Sequence, residues 1–134
     1  LRAQRPKTHR LFMHGLDPAI VPHLLMIARA TTESLAFVFL NKAGATLSLH
    51  HIPSTRLSSV DVPLRTVVAL ALAHESNHVV MAHNHPSGDP EPSAEDLKTT
   101  RRVASALDAL GIRLVDHLVL AGDTSVSFRA RGLL

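Results

Sequence analysis

The chain of 134 residues contains no cysteine, no tryptophan and no tyrosine. The missing thiols exclude disulfides, thiolate metal ligands and cysteine nucleophiles together. They also exclude the zinc deaminase signature, which needs a Cys-x-x-Cys pair. Four phenylalanines are the only aromatic residues of the Phe/Tyr/Trp class, so there is no platform on which single-stranded bases could stack. No apolar run reaches 18 residues and no signal-peptide pattern opens the sequence. No membrane segment is therefore expected, and the cytoplasm is the expected compartment. Charge of one sign is also scarce. Fourteen basic residues against 11 acidic ones leave a formal +3, a weak basis for binding a nucleic acid. What is present is apolar substance: 46% of the residues, in a chain of one domain's length, can bury a core. No repeat or low-complexity segment interrupts it.

Residues 1–12 form an expected basic tail or linker, with Arg2, Arg5, Lys7 and Arg10 and no apolar periodicity. The expected domain covers 13–134. Asp17-Pro18 opens a helix with Leu24, Leu25, Ile27 and Ala28 on its apolar side. Leu35 to Leu40 is apolar throughout, as a central strand is, and a turn at Asn41–Gly44 leads to a partner over 45–52. A loop over 53–61 precedes a second helix from Pro63 to about Glu75, and a strand follows over 78–83. A third helix runs from Ser93 to about Leu110, with Val103, Ala106, Leu107 and Leu110 on one face and Gly111 ending it. Strands over 112–120 and 124–128 complete the order. Helix, hairpin, helix, strand, helix, hairpin implies an α/β mixed fold with a central mixed sheet and helices on its faces.

The densest chemistry lies at Met81-Ala82-His83-Asn84-His85-Pro86-Ser87-Gly88-Asp89-Pro90-Glu91-Pro92-Ser93-Ala94-Glu95-Asp96. His83 and His85, two apart at the mouth of an apolar strand, point to one side of an extended backbone. A loop stiffened by Pro86, Pro90 and Pro92 can fold back to bring the Asp96 carboxylate to them. Two imidazoles, one carboxylate and an open position are the pattern of a catalytic zinc site. Ser93-x-x-Asp96 before an apolar helix is equally an N-cap motif, and the two readings can coexist. Asn84, facing the other way, is expected to shape the loop and not to bind metal.

His83-x-His85, with seven residues before Ser93-x-x-Asp96, resembles the JAMM motif of the JAB/MPN metalloenzymes. The fuller string His83-Asn84-His85-Pro86-Ser87-Gly88-Asp89 resembles their RadC-like branch, and the likeness continues through Asp116-His117-Leu118-Val119 and Val126-Ser127-Phe128 to Gly132-Leu133-Leu134. The resemblance implies a mostly antiparallel sheet in cytidine-deaminase-like layering and one Zn2+ per chain on His83, His85 and Asp96. It implies metallopeptidase or isopeptidase chemistry on a peptide or protein substrate. It also implies a general base just before the first core strand, the place of Glu33, and an oxyanion-assisting serine at Ser93. Asp116 and His117 are expected to make structural or ligand-supporting hydrogen bonds. Two further readings accompany the family: a non-catalytic interaction module, and the DNA-repair label its RadC-like members carry. One departure stands out. Family members commonly show Pro-Arg-Glu at the start of the second helix, where this chain has Pro63-Leu64-Arg65-Thr66 and no acid.

Overall fold

The computed structural model describes residues 8–9, 16–53 and 63–134. Most of the expected basic tail and nearly all of the 53–61 loop lie outside them. The described elements are strand β1 (Thr8–His9), a 3-10 turn (Pro18–Ile20), helix α1 (Val21–Ala28), strands β2 (Ser34–Leu40) and β3 (Thr46–Pro53), and helix α2 (Leu64–Ala73). Strand β4 (His78–Asn84), helix α3 (Ala94–Asp108) and strands β5 (Arg113–Ala121) and β6 (Thr124–Ser127) follow.

The strands form one sheet in the order β1-β6-β5-β4-β2-β3. Among the described strands only β4 and β5 run parallel; every other pair is antiparallel. The helix α3 crossover between β4 and β5 explains the exception, because parallel neighbours cannot be joined by a tight turn. β1 falls inside the segment read as a tail and adds two residues to the sheet edge beside β6.

Strand alternation divides the core between the two faces of the sheet, and a bulge in β5 between Leu114 and Asp116 switches that strand's parity. Ala36, Val38, Leu40, Val80, Ala82, Leu118 and Leu120 face α1, meeting Leu24, Ile27 and Ala28. Leu35, Phe37, Phe39, Val79, Met81 and Leu114 face the other way onto Val67 and Ala71 of α2 and Val103 and Leu107 of α3. The result is three layers, with α1 on one face and α2 and α3 on the other. All seven residues of β2 are buried, as the uninterrupted apolar run from Leu35 to Leu40 requires.

Two helix ends differ from expectation. Helix α2 stops at Ala73, and Glu75 takes a left-handed φ of 51° as the chain turns into β4. Helix α3 stops at Asp108, and Gly111 (φ 72°) reverses the chain while the N–H of Ile112 bonds back to the Leu107 carbonyl at 3.0 Å. Leu110 therefore leaves the helical face assigned to it and is exposed. No helix among the described residues is long and apolar enough to cross a membrane.

Candidate metal centre

β4 carries the histidines out of the core. Its pairing with β5 continues one bond past Asn84, with the His85 N–H donating to the Leu120 carbonyl at 2.8 Å. The backbone thus stays extended through His85, so His83 and His85 share the α3 face. Their Nε2 atoms are 3.0 Å apart. Asp96 closes the set from the first turn of α3: Oδ1 lies 3.1 Å from His83 Nε2, and Oδ2 lies 3.1 Å from His85 Nε2. Among the described residues this is the group of three that can offer ligand atoms to one ion.

The cap reading and the ligand reading of Ser93-x-x-Asp96 are both realised. Ser93 Oγ accepts the Asp96 N–H at 3.0 Å, and Asp96 Oδ2 accepts the Ser93 N–H at 2.8 Å. This capping box fixes the rotamer that turns the carboxylate toward the histidines. Ser93 itself is exposed at the rim, and Asp96 is only 3% exposed. The loop between His85 and Ser93 is shaped by Gly88, whose φ of 91° suits glycine and returns the chain. The Asp89 carbonyl then accepts a bond from His85 Nδ1 at 2.9 Å. Farther along, Arg131 ties Glu91 to the C-terminal turn at 2.7 Å.

The tautomers follow from a chain of bonds that ends on a carbonyl. Thr100 Oγ1 lies 2.6 Å from the Asp96 carbonyl oxygen, which can only accept, so the hydroxyl donates there. The hydroxyl oxygen then accepts from His117 Nδ1–H at 2.6 Å. His117 Nε2 is left as an acceptor and takes Nδ1–H of His83 at 2.7 Å. The lone pair of His83 is thereby placed on Nε2. The Asp89 carbonyl does the same for His85. His117 is completely buried and stacks on Phe128 with ring centroids 4.5 Å apart. Burial, helped by the His83 charge, pushes its pKa well below the ordinary histidine value, so it stays neutral as the chain of bonds requires.

Two lone pairs and a carboxylate facing one another over about 3 Å need a cation between them. A proton is one answer. The Asp96 hydrogen bond, working against burial and helped by the Asp89 carbonyl and the charges of Asp96 and Glu33, raises the His85 pKa. Burial works to raise the Asp96 carboxyl, but the His83 and His85 hydrogen bonds, the His83 charge and the Ser93 N–H together hold it far below the carboxylate range. A metal is the other answer. Bonds of about 2.0–2.2 Å to nitrogen and oxygen give donor separations of about 3.0 Å in octahedral and about 3.4 Å in tetrahedral geometry. The Nε2–Nε2 separation and the two N–O separations, one to each carboxylate oxygen, are of that size, and the donor types are those of zinc and related divalent ions.

The remaining sequence candidates fall around this centre. Glu33 is exposed, one residue before β2, and Leu35 lies opposite His83. That antiparallel register, continued by two residues, brings Glu33 across from His85, in keeping with its charge acting on that ring. Asp116 does structural work: its carboxylate accepts the N–H groups of His117 (2.8 Å) and Arg129 (3.0 Å) and the Ser127 hydroxyl (2.6 Å). This holds the turn that places Phe128 under His117. Asn84 leaves the 86–92 loop alone and bonds the 30–34 segment instead. Thr100 was not anticipated. Its signal, a hydroxyl one helical turn after Asp96, means little until β5 is known to lie beneath α3.

A three-layer fold around one sheet, with a His-His-Asp group at the end of an internal strand, is the arrangement of a JAB-type domain. Residues 17–133 match the family described as the RadC-like JAB domain, and the chain belongs to that family. It is 38% identical over 120 residues to a UPF0758 protein of Thiobacillus denitrificans, covering 88% of this chain and 54% of the relative. It is 37% identical over 108 residues to UPF0758 protein STH371 of Symbiobacterium thermophilum, covering 81% and 46%. A UPF0758 protein of Neisseria meningitidis is 32% identical over 120 residues, covering 88% and 53%. The chain thus spans about half the length of the curated relatives it matches.

Proposed function

We propose that this domain is a zinc-dependent hydrolase that cleaves an amide bond, peptide or isopeptide, in a peptide or protein substrate. The observation that carries the reading is the convergence of two histidines, each with its lone pair set on Nε2, upon a buried carboxylate. His83, His85 and Asp96 would hold one zinc ion. When bound, zinc supplies Lewis acidity and lowers the pKa of its water to about 7. Glu33, exposed beside His85, accepts the proton of the attacking water and delivers it to the leaving amine. The Ser93 hydroxyl, at the rim above Asp96, donates toward the developing oxyanion. His117, Thr100 and the Asp89 carbonyl orient the two imidazoles.

Elemental analysis of protein purified without chelator tests the metal, with about one zinc per chain expected. Iron as the native metal would overturn the zinc assignment, since two histidines and a carboxylate also serve non-haem iron. Glu33→Gln tests the chemistry. It should retain zinc and lose about 10²-fold or more of hydrolysis, measured on a peptide or isopeptide library. A variant that hydrolyses at the parent rate removes Glu33 from the mechanism.

A further inference from the structure

Asn84 lies between the two histidines, is fully buried, and points to the opposite face of the sheet from both. There its side chain spends all its main hydrogen-bonding groups on one short segment. Oδ1 accepts the Ser34 N–H at 2.7 Å. Nδ2 donates to the Thr32 carbonyl at 3.0 Å and to the Ala30 carbonyl at 3.3 Å. The three contacts bracket Glu33 on both sides while leaving its carboxylate exposed. The segment is the connection between α1 and β2, and at its end Ser34 is paired on its other side with Pro53, which has no N–H to offer.

We propose that Asn84 is a positioning residue for Glu33: it clamps the 30–34 connection so that the base is registered against the ligands on either side of Asn84 itself. The clamp rests on the hydrolase reading for its purpose but not for its geometry. One strand end then carries both halves of the centre. Its α3 face supplies ligand nitrogens, and its α1 face fixes the loop that bears the base. A shift of β4 would move ligands and base together, which keeps their separation constant. The side chain must be an amide for this. Aspartate offers no donors to the two carbonyls and would bring a second buried carboxylate, and serine cannot span all three contacts.

The test uses the full chain loaded with Co2+, whose visible absorption reports the ligand field, together with hydrogen exchange of the metal-free protein. In the unaltered protein the Ser34 amide should be protected like the interior of β2, and Asn84→Ala should speed its exchange about tenfold, the loss of one buried hydrogen bond. Co2+ affinity should stay within a few-fold, because no ligand is touched. Glu33→Gln should lower the midpoint of the pH-dependent absorption by about one unit, the effect of removing a nearby negative charge. Asn84→Ala should move it the same way, and the double variant should match Glu33→Gln alone. Full additivity in the double variant, or an unmoved midpoint in Asn84→Ala while Glu33→Gln shifts it, overturns the proposal. If Asn84→Ala does not fold, Asn84→Ser and the exchange of Ser34 in the parent decide it: an unprotected Ser34 amide overturns the clamp. A silent Glu33→Gln beside a protected Ser34 amide overturns the base assignment and leaves the clamp standing.

Discussion

His83 and His85 differ in how they are held, although both face Asp96 at the same distance. His83 is backed by three buried groups on two elements: His117 on β5, and Thr100 and the Asp96 backbone on α3. His85 leans on a single carbonyl of its own loop, at Asp89, and is partly open to solvent. One half of the centre is built into the sheet, and the other is a loop contact made four residues away in sequence. The lesson is a division of labour. The sheet fixes where the centre is, and the loop leaves one side open to solvent.

The largest effect should come from breaking either half outright. His83→Ala and His85→Ala should both abolish stoichiometric metal binding, read by elemental analysis. They should separate in the metal-free protein. Removing His83 strands the buried His117 Nε2 without its donor and should cost about 1–3 kcal/mol in urea unfolding. Removing His85 strands nothing fully buried and should cost less than about 1 kcal/mol. Equal costs would erase the comparison.

Next in size is the far end of the buried chain. Thr100→Val keeps the shape and removes the hydroxyl that His117 Nδ1 requires. Loss of an outer hydrogen-bond partner should weaken metal binding about 10–100-fold, measured by chelator competition, although Thr100 touches no metal ligand side chain directly. A wild-type affinity would show that the tautomer of His83 is set without this chain.

A third test is pH. In the metal-free protein the His117 pKa is depressed, so its contribution is present above the ordinary value of 6.5 and is lost as pH falls below it. Asp96 is depressed too, and its contribution is lost as pH falls below 3.8. His85 is raised, so its contribution is complete below 6.5 and is lost as pH rises through its folded value. Metal-free stability should therefore decline on both sides. Saturating zinc should remove the alkaline decline, because the ion replaces the proton, and should steepen the acid one through proton competition. Thermal melts from pH 5 to 9 with and without zinc check both limbs.

The smallest effect belongs to the loop side. Glu91 is exposed, so Arg131→Ala should change stability by no more than about 1 kcal/mol and zinc affinity by less than threefold. A larger loss would promote the loop from local contact to structural support.

The features that were legible in sequence are those carried by short spacing. His83 and His85 share a face because a strand alternates. Asp96 points at them because Ser93 caps the helix that carries it. The apolar run at 35–40 announced a buried strand. What was not legible depends on register. His117 reaches His83 only because β5 lies parallel beside β4, with Met81 opposite His117. No local pattern encodes that offset. Asn84 faces opposite to His83 and His85 as expected, yet it holds not its own loop but a segment about fifty residues earlier, which follows from the β2–β4 pairing. Leu110 was misplaced because the apolar pattern runs on past the point where Gly111 turns the backbone.

Helix α3 meets the sheet by two different kinds of attachment along its length. Its later turns are anchored by Val103 and Leu107 in the apolar core. Its first turns bury Asp96, Thr99 and Thr100 instead, with Asp96 committed to the centre and Thr100 to the chain from His83. An ion at the centre would act as a rivet on the polar end alone. By mass action it would add about 2.7 kcal/mol to the bound form at a hundred times its dissociation constant. That gain would be spent where the helix begins, so with an ion bound the order of the first two turns of α3 would become a gauge of how much metal the surroundings supply.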